Sequence, residues 1–407
     1  SERKSGKIMK ILFLSLLDFE TIEEHNIYTD LLREFRKEKH ELYIVSPVER
    51  RKNRDTYIIQ EDNCKILKLC IGNVQKTNYL EKGFSLLRLQ GQFIKGITTY
   101  FSDVKIDLIL YATPPITFSR VVAYIKKRDQ AISYLLLKDI WPQGIVDLGV
   151  ISKKGLIYRY FRKKEEDMYK VSDYIGCMSL ANVRYILEEN SFLKADKVEV
   201  CPNSIEPVLL QEISELDINQ MKQKYEIPQN KTIFLYGGNL GRPQGLDFLL
   251  QIIEKCEDNE AFFLIVGDGT EYERIDNYLK SIKSENARLI KYLPKTEFEK
   301  LVQISDVGLV FLDRRFTVPN IPSRILSYMQ AGIPILAATD SATDLREIIE
   351  NNEMGYWCEN GDLQMFFSDM KMLKEIKKRK KMGENGRKCL EEKYSVAKGY
   401  QIIEKHQ

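Results

Sequence analysis

Histidine is almost missing from this 407-residue chain: only His25, His40 and His406 occur, too few to suggest a histidine-built metal centre. The seven cysteines are scattered and none forms a CxxC pair, so neither a zinc ribbon nor a disulfide framework is expected. Reduced thiols in a cytoplasmic protein are the plain expectation. No apolar run approaches the ~18–20 residues that a membrane-crossing helix needs. A charged, apolar and small-residue leader is also missing, so secretion is not expected. Net charge is only +3, which argues against a polyelectrolyte partner such as nucleic acid. Low-complexity tracts and short-period repeats are absent as well.

What is present suits a globular protein. Hydrophobic residues make up 43% and charged residues 30%, and the length exceeds one ordinary core, so two domains of about 200 residues each are expected. Residues 1–8 are polar and precede Met9-Lys10-Ile11, which reads like a natural start running into a strand. They are set apart from the fold.

Apolar runs of strand length occur at Lys10–Leu16, Glu41–Ser46, Asp107–Tyr111, Ile132–Leu137 and Tyr174–Met178. Helical periodicity falls between them at Tyr28–Lys37, Val121–Lys127 and Lys153–Lys170. Such alternation predicts a parallel sheet with helices on both faces. After Val198–Val200 and Pro202-Asn203-Ser204, the acidic stretch Glu206–Asp217 reads as an inter-domain segment. The pattern then restarts. Strands are predicted at Thr232–Tyr236, Ala261–Val266, Arg288–Tyr292, Val307–Leu312 and Ile333–Ala338. Helices are predicted at Leu246–Lys255, Glu271–Ser281, near Glu297–Leu301 and from about Ser323 to Gln330. The expected division is 9–205, 206–385 and a terminal helix over 386–407 that packs back toward the first domain.

The strongest local signal is YGGNLGRPQG at Tyr236–Gly245, set between a strand and a helix. Glycines allow close backbone approach, a helix start offers free N–H groups to an anion, and Arg242 adds a fixed charge. Phosphate binding by Gly238, Asn239, Gly241, Arg242, Gln244 and Gly245 is the reading, against a simple strand-to-helix turn. Gly267-Asp268-Gly269 follows another strand at the edge where open α/β sheets bind ligands, although turn chemistry explains it equally well. TVPNIPSRILSYMQAG then combines Asn320, Pro322 and Ser323 with a glycine stop. It is either a capped core helix or a helix start aimed at an anion, with Arg324 balancing charge. In the first half, Asp139 and Trp141 of KDIWPQ could touch a sugar, or Trp141 could simply fill the core. Residues 120–170 hold twelve Lys and Arg against six Asp and Glu, and GLIYRYFRKK mixes aromatics with cations. Basic residues in 152–170 are thus either a solvated face or a contact for an anionic membrane surface.

Together these residues resemble glycosyltransferase family 4. YGGNLGRPQG, VGDGTEYERI and IPSRILSYMQAGIPIL fall in that family's order and spacing, and the likeness covers nearly all of the chain after Met9. NIYTDLLREF, LKDIWPQ, CMSLANVRYILEEN and VCPNSIEP are similar to the bacterial subgroup that builds capsule, O-antigen or exopolysaccharide, N-acetyl-fucosaminyltransferases included. The resemblance implies the GT-B fold: α/β, with two Rossmann-like doubly wound parallel-sheet domains facing a cleft. It further implies retaining transfer from a nucleotide diphosphate sugar, UDP-linked, to a lipid-linked saccharide acceptor, on the cytoplasmic side and peripheral to the membrane. No metal or other cofactor is implied, so Arg242, Arg324 and two helix starts would carry the leaving-group charge. On that ground Arg242→Ala is expected to cut turnover by orders of magnitude. Tyr292 and Leu293 match the nucleobase segment, and Asn320, Ile321, Ser323 and Ser327 fall beside the donor. Asp18, His25, Tyr28, Trp141 and Asp139 fall on the acceptor side, Asp139 as a group that orients or deprotonates the acceptor.

Departures from the family are equally visible. Its loop Arg and Lys are replaced by Asn239 and Gln244, and its paired glutamates by Pro319 and Ser327. A nucleotide-sugar epimerase of the same fold, or a non-catalytic nucleotide-sugar-binding partner, are the alternative readings.

Overall fold

The computed structural model describes residues 7–73 and 79–406, with side chains excepted over 79–87. Residues 1–6 of the segment set apart above lie outside the described residues. The chain divides into two compact units: Ser1–Gln143, Ile151–Glu206 and Val396–Gln407 form the first, and Gly144–Val150 with Pro207–Ser395 the second.

The first unit holds β1 (Lys10–Leu14), β2 (Glu41–Glu49), β3 (Tyr57–Glu61), β4 (Cys64–Ile71), β5 (Leu108–Ala112), β6 (Ile132–Leu137), β7 (Tyr174–Cys177) and β8 (Val198–Val200). Their order is β3-β4-β2-β1-β5-β6-β7-β8. Every pairing is parallel except β3 with β4. β1, β5 and β6 are apolar along nearly their whole length because helices cover both faces of a parallel sheet. β3 alternates between half-buried and exposed residues, as an edge strand does. This hairpin was not legible in the apolar runs.

The second unit is wholly parallel. Its strands are β9 (Thr232–Gly237), β10 (Ala261–Val266), β11 (Ala287–Ile290), β12 (Val307–Phe311), β13 (Ile335–Thr339) and β14 (Gly355–Glu359), in the order β11-β10-β9-β12-β13-β14. That is the doubly wound order whose switch point lies between the first and fourth strands, here β9 and β12. The aromatic core packs Phe248, Phe311 and Phe366 against one another, with Phe248 and Phe366 edge to face at 5.7 Å. A helix over Glu215–Lys224 and an irregular lead-in occupy the expected inter-domain stretch, and β14 is a strand not foreseen.

Where one terminal helix over 386–407 is expected, two form. Ile376–Lys393 belongs to the second unit and Val396–Glu404 to the first. A Cβ at Gly383 would strike the Gly332 carbonyl, so only glycine lets these backbones meet. The last helix packs Tyr400 edge to face on Phe35 at 4.9 Å.

His40 sits beside that contact. Its Nδ1 accepts the Met9 N–H at 3.1 Å, and its Nε2 lies 3.1 Å from the Tyr400 hydroxyl. Burial lowers the imidazole below its ordinary 6.5, against the opposing pull of Glu404 and Glu38. The neutral form is therefore favoured by folding. Its stabilisation is complete above pH 6.5 and is lost as pH falls through the depressed value. Thermal midpoints should drop between pH 7.5 and 5.5, and His40→Gln should flatten that drop. An unchanged slope in the variant would remove His40 from the account.

Candidate functional site

Three loops converge at the carboxyl edge of the second sheet because Gly237, Val266 and Ile290 stand in register across β9, β10 and β11. The loop after β9 is knitted to the loop after β10. Gly238 N–H donates to Val266 O at 2.9 Å, and Leu240 N–H to Asp268 O at 2.9 Å. A Cβ at Gly267 would strike the Gly238 carbonyl, and one at Gly269 would come within 2.5 Å of the Leu240 carbonyl. These glycines thus serve backbone-to-backbone approach, a sharper role than turn relief. Asp268 turns its Oδ1 onto the Gly269 N–H at 2.9 Å. Beyond Gly241, Arg242–Gln244 make a single 3₁₀ turn ended by Gly245 at φ +57°, and the helix Asp247–Lys255 follows.

Arg324 enters this loop from the helix Arg324–Ala331. Its guanidinium lies 4.4 Å from the Tyr236 ring centroid, and its Nη2 donates to Gln244 Oε1 at 2.8 Å. Gly238, at φ +134°, leaves room for it: a Cβ there would stand 3.2 Å from Nη2. Nη1 is buried with no hydrogen-bond partner among the described residues. A buried donor left unpaired costs about 1–3 kcal/mol, more for a charged group, so a ligand acceptor here would recover that cost. Arg242 is placed differently. Its side chain is 72% exposed, and its Nε lies 3.9 Å from Glu271 Oε1.

The other second-unit residues fall around this pair. Asn239 is exposed and lends its carbonyl to the Tyr236 hydroxyl at 2.8 Å. Tyr292 and Leu293 lie in the loop after β11, with Tyr292 78% exposed. Ile321 is buried, and Asn320 donates from Nδ2 to Val318 O at 3.1 Å. The helix begins at Arg324 and not at Ser323, which has helical angles and makes no side-chain cap. Ser327 lies in its second half-turn, half-buried. The sequence reading missed Tyr236 as a platform, and Asp340. The latter follows β13 fully buried; its Oδ1 accepts Ala342 and Thr343 N–H, while Oδ2 has no partner among the described residues. Burial pushes its carboxyl up to about 6 despite those two N–H donors, and Asp147 adds to the rise. Thr343 in turn donates to Asn320 O at 2.7 Å, bracing the loop before Arg324.

In the first unit, the loop after β1 carries Asp18, His25 and Tyr28. Asp18 is clamped by Lys68 and Lys52, each at 2.5 Å. Burial alone would raise its carboxyl, but hydrogen bonds from Lys52 and Lys68 hold it below the ordinary value. His25 Nδ1 lies 2.9 Å from Arg33 Nη2 and 3.3 Å from Asp30. Tyr28 packs tilted on Phe13 at 5.7 Å, and its phenol is pushed up by burial and then by the charge of Asp139. Asp139 follows β6, its N–H donating to Thr113 Oγ1 at 3.2 Å. Its side chain reaches solvent yet stands amid dense protein, which raises the carboxyl against the pull of Lys138. Trp141 is half-buried, edge to face with Phe161 at 5.6 Å, so the ring is partly core and partly available.

Residues 217–389, inside the second unit, match the family described as Glycosyl transferases group 1. The chain is also similar over 98% of its length to Anabaena Alr3699/HepE in complex with UDP, at a TM-score of 0.70 and 15% identity, covering 99% of that chain. It is similar to the structure described as trehalose-6-phosphate from E. coli bound with UDP-2-fluoro glucose at a TM-score of 0.73 and 10% identity, and to that of trehalose-6-phosphate synthase OtsA at 0.72 and 11%, with 98% of each chain covered. The fold is GT-B. In sequence, the chain is 26% identical over 231 residues to the protein named probable glycosyltransferase WbjE of Pseudomonas aeruginosa. It is 22% identical over 251 residues to E. coli (strain K12) WcaI, named for colanic acid biosynthesis glycosyl transfer. The matched stretches span 56% and 60% of this chain, and the same shares of those two proteins.

Proposed function

We propose that this protein is a retaining glycosyltransferase that moves a sugar from a nucleotide diphosphate donor, UDP-linked, to a lipid-linked or saccharide acceptor in surface polysaccharide assembly. The observation that carries the proposal is Arg324, whose buried Nη1 lacks a partner beside a glycine loop at the switch point of the second sheet. A diphosphate supplies the missing acceptor atoms and benefits most from the charge as its negative charge grows. The names of the relatives and the UDP bound in the HepE structure support the same donor class.

In the proposed reaction the acceptor hydroxyl oxygen bonds to the anomeric carbon. The bond from that carbon to the phosphate oxygen breaks, and its electron pair leaves on the nucleotide diphosphate. The hydroxyl proton passes to the departing phosphate oxygen, so retention needs no dedicated base. Arg324 supplies countercharge without a metal ion, and Arg242 adds charge from the exposed side of the loop. Asp139, raised and accessible, orients the acceptor.

The first unit also presents a lipid-compatible face, although no described helix is long and apolar enough to cross a membrane. The helix Leu156–Val171 exposes Leu156, Ile157 and Tyr160 among Lys153, Lys154, Arg159, Lys163 and Lys164. Apolar side chains ringed by cations suit an anionic interface.

Calorimetry against UDP-, GDP- and dTDP-sugars, followed by transfer to lipid extracts, tests the donor and the reaction together. Tight UDP-sugar binding with transfer is expected; binding without transfer to any acceptor would favour the non-catalytic partner, and isomerised donor the epimerase. Flotation should be seen with phosphatidylglycerol vesicles and not with phosphatidylcholine alone.

A further inference from the structure

Resting on that donor reading, we infer that Gln244 and Tyr236 are positioning residues: they hold the Arg324 guanidinium so that Nη1 is left without a protein acceptor and can bond the diphosphate. Gln244 thereby directs the charge rather than binding the donor itself. An unheld arginine side chain loses rotamer freedom when a ligand fixes it, so prior fixation tightens binding. Here the fixation is visible on two sides. The Arg324 Cζ lies over the Tyr236 ring, 4.4 Å from its centroid, and Gln244 Oε1 takes the Nη2 hydrogen at 2.8 Å. Both holders are themselves held. Tyr236 is fully buried in β9, and its hydroxyl donates to Asn239 O at 2.8 Å. Gln244 stands in the turn between Gly241 and Gly245. Nη1 remains buried and unpaired.

The chemistry of the holder matters. A glutamate at 244 would grip the guanidinium more strongly but cancel its charge, and a lysine would repel it. A neutral carboxamide oxygen is the acceptor that orients the cation and leaves its charge for a phosphate. This accounts for a glutamine at the place where the resembled family has a lysine: in this chain the charge stands on Arg324, from the neighbouring helix.

A double-substitution cycle on the full chain, read by calorimetric binding of UDP, tests the inference. Arg324→Ala should weaken UDP binding about a hundredfold. Gln244→Ala should weaken it about tenfold in the native background and less than about twofold when Arg324 is already Ala, because its effect runs through the arginine. Gln244→Glu should raise the melting temperature while weakening UDP binding and flattening its salt dependence. Equal Gln244→Ala losses in both backgrounds, or native-like UDP affinity in Gln244→Glu, would overturn the positioning role. Native-like affinity in Arg324→Ala would instead overturn the donor reading on which it rests. Should Arg324→Ala leave no measurable binding, Arg324→Lys provides the background, since an ammonium cannot form the same fork.

Discussion

Arg324→Ala should lower sugar transfer by about a thousandfold, chiefly in kcat, while the protein melts close to the native temperature. The reasoning is electrostatic. A guanidinium under a glycine loop, with one edge bonded and one edge free, is shielded from water and already oriented. Charge of that kind contributes most where negative charge develops, which is on the leaving diphosphate rather than on the bound donor. Arg242, equally prominent in the sequence, should matter much less. Its side chain is mostly exposed, and solvent screens a charge in that setting. Arg242→Ala is therefore expected to raise the donor KM by less than about tenfold with kcat nearly unchanged. Initial rates over a donor series decide between them. A larger kcat loss at 242 than at 324 would return the principal role to the loop arginine that the sequence singled out.

Most of the fold was legible because parallel strands covered on both faces read as unbroken apolar runs. β6 and β10 fall on their predicted ranges, and most other predicted strands differ by a residue or two at their ends. Among the strands that escaped, two have a mixed pattern. β3 alternates at a sheet edge, and β14 opens with a glycine that lies against the Ile335 backbone. The division of the C-terminal segment into two helices was hidden too, since Tyr394-Ser395 carries no proline or glycine signal.

The site was legible in outline and not in its connections. Gly238, Gly241, Gly245 and Gly267 could be named from their spacing, because a ligand loop needs residues without side chains. Which cation would sit beneath them could not. Arg324 and Gln244 are 80 residues apart, and their hydrogen bond exists only after β9 and β12 have paired. Tyr236 within an apolar strand reads as core, which it is; its second face as a support for a guanidinium is a tertiary fact. Asp340 gave no signal because an aspartate after a strand is ordinary turn chemistry.

Lys68→Met should destabilise the first unit by about 3 kcal/mol, because removing the buried cation strips the Phe19 carbonyl and Ser46 hydroxyl of their charged donor and leaves Asp18 with Lys52 alone. Lys68 is fully buried in β4, where its neighbours are apolar. All three of its ammonium hydrogens are used: Asp18 Oδ1 at 2.5 Å, Phe19 O at 2.7 Å and Ser46 Oγ at 3.0 Å. Methionine keeps the volume and deletes the cation. Phe19 O then loses its charged donor, while Asp18 keeps Lys52 at the surface, which moderates the loss. A fall of roughly 6–12 °C in the melting of this unit follows for a domain of this size. The pH profile should change as well. A carboxyl held below its ordinary 3.8 contributes stability above that value and loses it as pH falls through the depressed one, so the variant should be less sensitive to acid. Because the same clamp fixes the start of the loop bearing His25 and Tyr28, the acceptor KM should rise, with UDP affinity in the second unit unaltered. Coupled loss of UDP binding would show that Lys68 does more than fix this loop, and native melting would show that the loop does not depend on the clamp.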